Sequence, residues 1–181
     1  MGKKWFWLLA ALGLAACSIP FSYTVNVLEQ VNLSGTFTVG QGGISPNPKD
    51  IGPVEVSYEP DSRVTLSGAT LNYKVCFRSQ TPGTSFSGTL VYAAYLSGDS
   101  AGLFTETNRL AEGNRDISAL SSGPVCVEGT ADVTPAQVQA IASGRFYVGA
   151  RISGSATSTQ EATIRYDTER FELRLSGSVR P

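Results

Sequence analysis

The chain has 181 residues, a formal net charge of -1 and no histidine. This length is typical of a single domain with one hydrophobic core. Charged residues make up only 16% of the chain and glycine occurs 19 times, a composition that favours strands and tight turns over exposed helices. The sequence contains no cluster of Lys or Arg, so nucleic acid is not an expected partner.

The first residues have the pattern of an export signal. Lys3 and Lys4 give a positive start, and the apolar run that follows is shorter than the roughly 20 residues of a membrane-spanning helix. Small residues then precede Cys17. The pattern predicts a signal peptide over residues 1–16.

The end of this leader, Leu14-Ala15-Ala16-Cys17, resembles the lipobox of bacterial lipoproteins. The resemblance covers the leader alone. It implies a diacylglycerol on the Cys17 sulfur, cleavage before Cys17 and further acylation, for example with palmitate, so that the mature protein is exported and anchored to a bacterial membrane. Ser18 resembles the residue that directs such proteins outward, which favours the outer membrane or cell surface over the inner membrane. The alternative is an ordinary secretory leader in which Cys17 occurs by chance.

Strand-like runs with turn signals between them recur from residue 21 to the end. They predict an all-β fold: a two-sheet antiparallel β-sandwich over residues 21–181, for which an immunoglobulin-like Greek key is one arrangement. Residues 17–20 would be the lipidated Cys and a short tether. Residues 40–53 and 97–123 are the irregular stretches. The predicted strands are 21–27, 33–39, 53–58, 63–67, 71–77, 85–96, 124–128, 145–152, 161–166 and 169–175.

One short helix is predicted near residues 135–143. Thr134 can accept hydrogen bonds from the first amides, Pro135 suits the first helical position, and Gln137 completes a capping box. Gly144 suits the left-handed residue that ends a helix. We interpret this helix as a connector across one end of the sandwich.

Cys76 and Cys126 are the two cysteines left after Cys17. Export places them in an oxidising compartment, which predicts a disulfide between them. Both alternate with the apolar residues of their strands, so both sulfurs should lie on the outer face of one sheet, on neighbouring strands.

The stretch from residue 90 to 96 is apolar on both strand faces. One face carries Leu90, Tyr92, Ala94 and Leu96, and the other carries Val91, Ala93 and Tyr95. Only one face of a strand in a two-layer sandwich can reach the core. The second face, Val91, Ala93 and Tyr95, is therefore either covered by the chain itself or a partner-binding surface.

The chemical motifs do not predict an enzyme. Gly98–Gly102 matches the GxSxG pattern of serine hydrolases, but their mechanism needs a histidine and this chain has none. Without histidine a zinc, copper or iron site is not expected, and no EF-hand or phosphate-binding loop is present. Neither a metal nor another cofactor is predicted.

These features lead to two main hypotheses, and an enzyme that works without histidine is the third. The first is a membrane-anchored envelope lipoprotein that acts as a non-enzymatic structural or protein-interaction module, with an envelope protein or the cell wall as its partner. The alternative is a module that binds a carbohydrate or another small ligand through loops 40–53 and 97–123. In both, the short tether keeps the domain close to the membrane.

Overall fold

The structure is a computed structural model that describes residues 18–180. The predicted signal peptide and the lipidation site at Cys17 lie outside the described residues. Over residues 18–180 the chain forms one α-helix, α1 (Pro135–Ala142), and a set of antiparallel strands. The strands are β1 (Ile19–Asn26), β2 (Gly35–Gly40), β3 (Gly43–Ser45), β4 (Lys49–Ser57), β5 (Val64–Ser79), β6 (Phe86–Ser87), β7 (Thr89–Ser97), β8 (Arg109–Asp116), β9 (Val125–Asp132), β10 (Arg145–Gly154), β11 (Thr157–Ser158) and β12 (Ala162–Val179).

Two sheets form the sandwich. The first has the order β3-β2-β12-β5-β9, and the second has the order β4-β10-β7-β8. The long strand β12 pairs with β2 through residues 162–166 and with β1 through residues 172–179, so β1 and β2 follow one another along the same edge. A small ribbon of β6 and β11 lies beside the two sheets.

The order in which the chain visits the sheets is that of a jelly roll. Strands β1 and β3 extend the first sheet at its edge. The eight other strands of the two sheets change sheet at every step along the chain except between β7 and β8; they are β2, β4, β5, β7, β8, β9, β10 and β12. In an immunoglobulin fold, by contrast, consecutive strands repeatedly pair within one sheet. The predicted two-sheet antiparallel sandwich is therefore confirmed, and the immunoglobulin-like arrangement gives way to jelly-roll topology.

The core lies between the inner faces of the two sheets. Because successive side chains of a strand point to opposite faces, the middle of β5 buries every second residue here, namely Ala69, Leu71, Tyr73 and Val75. The rings of Tyr73 and Tyr92 stack across the sandwich with their centroids 5.8 Å apart. Other core residues include Leu71, Val75, Phe77, Leu90, Leu96, Phe146, Val148, Ile152, Ile164, Phe171 and Leu173.

The predicted disulfide is confirmed. Cys76 of β5 and Cys126 of β9 are direct cross-strand partners, with their Cα atoms 4.1 Å apart. The neighbouring residues Val75 and Phe77 are part of the core cluster, whereas Cys76 is not. The bridge thus joins adjacent strands of one sheet on its outer face, as the strand phase predicted.

The predicted helix is confirmed as well. The Thr134 side chain accepts a hydrogen bond from the Gln137 amide, and the Gln137 side chain accepts one from the Thr134 amide. Gly144 follows with a φ of +81°, which favours glycine. Over residues 18–180 no helix has the length and apolar content needed to span a bilayer.

Several element boundaries differ from the sequence-based ones. Two pairs of predicted strands, 63–67 with 71–77 and 161–166 with 169–175, are in each case one continuous strand. One extra residue in each strand, Ser67 in β5 and Glu169 in β12, shifts the register without ending the β5–β12 pairing. The stretch 97–123 contains strand β8, and 40–53 contains β3 and the start of β4. The first strand starts at Ile19, so Ser18 is all that separates it from Cys17.

Candidate functional site

The second apolar face of β7 is covered by the chain itself. Ala93 and Tyr95 are each 3% exposed, and they form a small cluster with Leu103, which is fully buried. Leu103 belongs to the loop that joins β7 to β8 and folds back over the sheet. It packs where Gly149 leaves room, since a Cβ at that position would be 2.8 Å from the Leu103 Cδ2 atom.

Aromatic and charged groups close this cover. The Tyr95 and Phe104 rings meet edge to face with centroids 5.4 Å apart, and the Arg151 guanidinium lies over both rings. Arg151 is held by Asp50 at 2.6 Å. Burial raises the pKa of Tyr95. Of the two alternatives for this face, the structure has cover by the chain for Ala93 and Tyr95, while Val91 is half-buried.

An apolar cleft of about 440 Å³ opens at the end of the sandwich that carries strand β1. Its volume lies in the usual range of small-molecule sites, about 300–1,000 Å³. It is built from segments far apart in sequence: β1, the end of β4 and start of β5, the end of α1, and β12. The lining residues are Phe21, Tyr23, Val25, Gln30, Val56, Tyr58, Pro60, Asp61, Val64, Leu66, Ile141, Ala142, Phe146, Leu173 and Leu175.

Strand β1 forms one wall and leaves it partly open. Its apolar residues alternate with polar ones, so Ile19, Phe21, Tyr23 and Val25 share one face. This face continues the inner face of β12, because Tyr23 pairs with Leu175 and Val25 with Leu173. Over residues 18–180, the large apolar side chains that are exposed are those of Ile19 (60%), Tyr23 (64%) and Tyr58 (40%). Two of these line the cleft, and Ile19 lies at the start of the same stripe.

Tyr58 ties the opposite wall to the helix. Its hydroxyl donates a hydrogen bond to the Ile141 carbonyl oxygen, and its backbone amide donates to the Gly144 carbonyl oxygen at 2.8 Å. A side chain at Gly144 could not be accommodated, since its Cβ would lie 2.6 Å from the Tyr58 carbonyl oxygen. The helix end and the residues after β4 therefore form one wall, and partial burial raises the pKa of the Tyr58 hydroxyl.

Charge is nearly absent from the described lining. Asp61 is its one ionised residue, and Arg63 binds it at 2.7 Å outside the cleft. The Arg63 guanidinium and amide lower the pKa of Asp61 to about 2. The carboxylate is thus already paired, and it offers neither a base nor a cation site. Across residues 18–180 no three His, Cys, Asp or Glu side chains come together as metal ligands.

A second cleft, polar and open, lies near the β2–β3 turn. Residues of 38–45 and 159–161 line it, and its volume is about 660 Å³. Several of its polar groups bind the chain itself: Gln41 donates to the Thr159 carbonyl oxygen at 3.1 Å, and Thr38 donates to that of Ser45 at 3.2 Å. It includes part of loop 40–53, but residues of 97–123 line neither cleft. The two predicted loops therefore do not meet in either cavity.

The GxSxG match lies in the loop between the paired strands β7 and β8. The Ala101 amide donates to the Asp99 carboxylate at 3.0 Å, a local turn, and no α-helix follows as in a nucleophile elbow. We interpret it as part of the covering loop.

Comparison with known proteins adds little to the fold. No family model and no curated protein matches the chain. Similar solved structures include infectious bursal disease virus, Gx strain (10% identity, TM-score 0.35, 90% of this chain and 36% of that chain). Others are an arabinose-bound α-L-arabinofuranosidase (18% identity, TM-score 0.35, 90% and 23%) and a lipoprotein of Bacteroides thetaiotaomicron (10% identity, TM-score 0.29, 89% and 84%). This chain spans about a third of the length of the viral protein and about a quarter of the length of the enzyme. At these TM-scores the similarities carry no functional argument.

Sequence reasoning missed the apolar cleft. One signal was present, namely the clean alternation of β1, in which the apolar residues follow directly after the Cys17 motif. The remaining walls come together only in the folded chain. Their apolar residues could be read as core but not as the lining of an opening.

Proposed function

We propose that this protein is a lipid-anchored lipoprotein of a bacterial envelope, held through Cys17 at the outer membrane or cell surface. Its jelly-roll domain acts as a non-enzymatic interaction module. The apolar cleft at the anchored end is its binding site for an apolar group. An envelope protein or the cell wall is the partner with which the rest of the domain interacts.

The position of the cleft is the observation that carries this proposal. Strand β1, which forms one wall of the cleft, starts two residues after Cys17. The exposed side chains of Ile19, Tyr23 and Tyr58 lie at the same end of the domain. Two residues of extended chain span only about 7 Å. A lipid on Cys17 would hold this end against the bilayer, where tyrosine is favoured at the interface between hydrocarbon and water.

The chemistry of the cleft supports binding rather than catalysis. A general base or nucleophile needs an ionisable group with a free face near the substrate. The carboxylate of the described lining is Asp61, which Arg63 already holds, and the Tyr58 hydroxyl is engaged by the Ile141 carbonyl oxygen. Apolar walls with tyrosines at the mouth are instead typical of a site that takes up apolar surface.

The polar cleft favours the second candidate, a module that binds a carbohydrate or another small ligand. Gln41, Gln160 and Glu161 there could hydrogen-bond to sugar hydroxyls. The candidate is weaker because the Gln41 and Gln160 amides already bind the chain, the latter to Thr84 at 2.9 Å.

Mass spectrometry of the mature protein from a bacterial host tests the anchor. We expect an amino terminus at Cys17 whose mass includes a diacylglycerol, and recovery of the protein in the membrane fraction. The Cys17→Ser variant should lack that mass. An unmodified mature amino terminus, with the protein recovered free of membranes, would overturn the proposal.

A further inference from the structure

We infer that the apolar cleft holds one hydrocarbon chain of the lipid attached to Cys17 of the same molecule. This inference rests on the lipid anchor proposed above and names the occupant of the same site. The other chains of the lipid remain in the bilayer.

The attachment point leads directly into the cleft. Ile19, Phe21, Tyr23 and Val25 form one continuous apolar stripe along β1, and the stripe starts two residues after Cys17. At about 3.3 Å per residue, Tyr23 lies within about 20 Å of extended chain from Cys17. A hydrocarbon chain on the Cys17 sulfur can therefore follow β1 past Ile19 and enter the cleft between β1 and the wall that contains Tyr58.

The lining suits a hydrocarbon without a polar head. A free fatty acid would bring a carboxylate that needs a cationic or hydrogen-bonding partner. The charged residue of the lining is an anion, Asp61, and its neighbour Arg63 is engaged by it at 2.7 Å. A chain whose polar end is covalently fixed outside the cleft avoids this mismatch.

The covalent link also compensates for a modest site. Tethering turns binding into an intramolecular step with an effective concentration in the millimolar range for a short link. The bilayer offers no hydrophobic advantage over the cleft, because both are apolar. The tether therefore favours the molecule's own lipid over a free ligand.

Photocrosslinking from the lipid itself tests the occupant. Cells that make the protein are grown with a fatty acid that carries a diazirine near its end. The intact mature lipoprotein is then purified, reconstituted into vesicles of phosphatidylethanolamine and phosphatidylglycerol, and irradiated. We expect adducts within the same molecule on peptides that contain Tyr23, Tyr58, Leu66 or Ala142.

A matched pair of variants in α1 provides the control. Ala142 lines the cleft and is exposed, so Ala142→Trp fills the cleft without entering the core. Ala136 is also exposed on the same helix but does not line the cleft. Ala142→Trp should lose most of the cleft adducts, and Ala136→Trp should retain them.

Three further outcomes distinguish the inference from the proposed anchor. If the mature protein carries the lipid but its adducts lie only on bilayer lipids or are scattered over the surface, this inference fails and the anchor stands. If the labelled lipoprotein gives no cleft adducts, but unlabelled protein gives them in vesicles that contain a diazirine phospholipid, the occupant is a bilayer lipid. The inference that the lipid of Cys17 fills the cleft is then wrong. If no lipid is found on Cys17, both proposals fail.

Discussion

Two apolar surfaces of this molecule differ in their exposure to solvent. The outer face of β7 carries Tyr95, which is 3% exposed beneath the loop that contains Leu103. The cleft wall carries Tyr23, which is 64% exposed. The same chain thus covers one apolar surface with a dedicated loop and an arginine, and leaves the other open.

The difference indicates what each surface is for. An apolar face that the chain covers belongs to the fold, because burial of its residues contributes to stability. An apolar face that stays open is either a liability or a binding surface. The open surface here lies beside the proposed membrane anchor, which favours binding.

The largest expected effect comes from the disulfide, which lies on the other sheet from Tyr95. Replacing both Cys76 and Cys126 by Ala releases a loop of 50 residues. Loop entropy in the unfolded chain then lowers the free energy of unfolding by about 4 kcal/mol. Urea denaturation measures this loss. If the still-folded variant keeps Tyr95 buried, the cover of Tyr95 does not depend on the disulfide in the other sheet. A loss below about 1 kcal/mol in the free energy of unfolding would contradict a stabilising role of the disulfide.

Removing the cover of Tyr95 should have the next largest effect. Leu103→Ala deletes a fully buried side chain, and we expect a loss of about 3 kcal/mol in the free energy of unfolding. The pKa of Tyr95 should fall toward its ordinary value as water reaches the ring. Denaturant titration and absorbance titration of the tyrosines check the two effects. A negligible loss would mean that the loop is not part of the fold.

Tyr92 provides a change of opposite sign in the core between the sheets. Its hydroxyl is fully buried and has no hydrogen-bond partner among residues 18–180, and the nearby Thr168 hydroxyl donates to the Leu33 carbonyl oxygen at 2.7 Å. Tyr92→Phe removes this unsatisfied group and should stabilise the protein by about 1 kcal/mol. Thermal denaturation checks this, and a clear destabilisation would indicate a partner for the hydroxyl.

The same residue predicts a pH dependence. Burial raises the pKa of Tyr92 in the folded protein. The unfolded chain then loses its phenol proton first, so this contribution to stability is fully present below about pH 10 and is lost as the pH rises further. Denaturant titrations at alkaline pH should show a smaller loss for Tyr92→Phe than for the original chain. An equal loss of stability in both proteins would contradict the attribution of this pH dependence to Tyr92.

The smallest expected effect on stability is at the open surface. Tyr23→Ser changes a side chain that is 64% exposed, so the free energy of unfolding should change by less than about 0.5 kcal/mol. In the Cys17→Ser protein, whose cleft holds no lipid chain of its own, the Tyr23→Ser change should weaken binding of apolar dyes, because Tyr23 lines the cleft. Thr24→Ser, on the opposite face of β1, is the control. If both variants bind dye equally well, the cleft is not the dye site.

Much of the fold followed from local patterns. Alternation located most strands, the phase of Cys76 and Cys126 predicted a bridge on an outer face, and the Thr134 and Gln137 pattern located the helix. β8 was missed because its sequence, RLAEGNRD, lacks apolar alternation and is a strand only through pairing with β7. Topology was also out of reach, since short strands and turns suit a jelly roll as well as an immunoglobulin fold.

The candidate site was harder to predict for a physical reason. Its walls bring together Phe21, Val56, Ile141 and Leu173, which are far apart in the chain. Local patterns label each of them apolar, but whether such residues close a core or leave an opening depends on where the opposite sheet ends. The fate of Tyr95 was undecided for the same reason, because its cover comes from an irregular loop.

The central claim is that the open cleft binds an apolar chain, supplied by the lipid of Cys17. The most direct measurement compares the fluorescence of the uncharged apolar dye Nile red with lipidated protein in vesicles and with exported Cys17→Ser protein, after subtraction of the vesicle signal. The account predicts dye binding by the Cys17→Ser protein, loss of that binding on Ala142→Trp but not Ala136→Trp, and little binding by the lipidated protein. Equal binding by all four forms would contradict it.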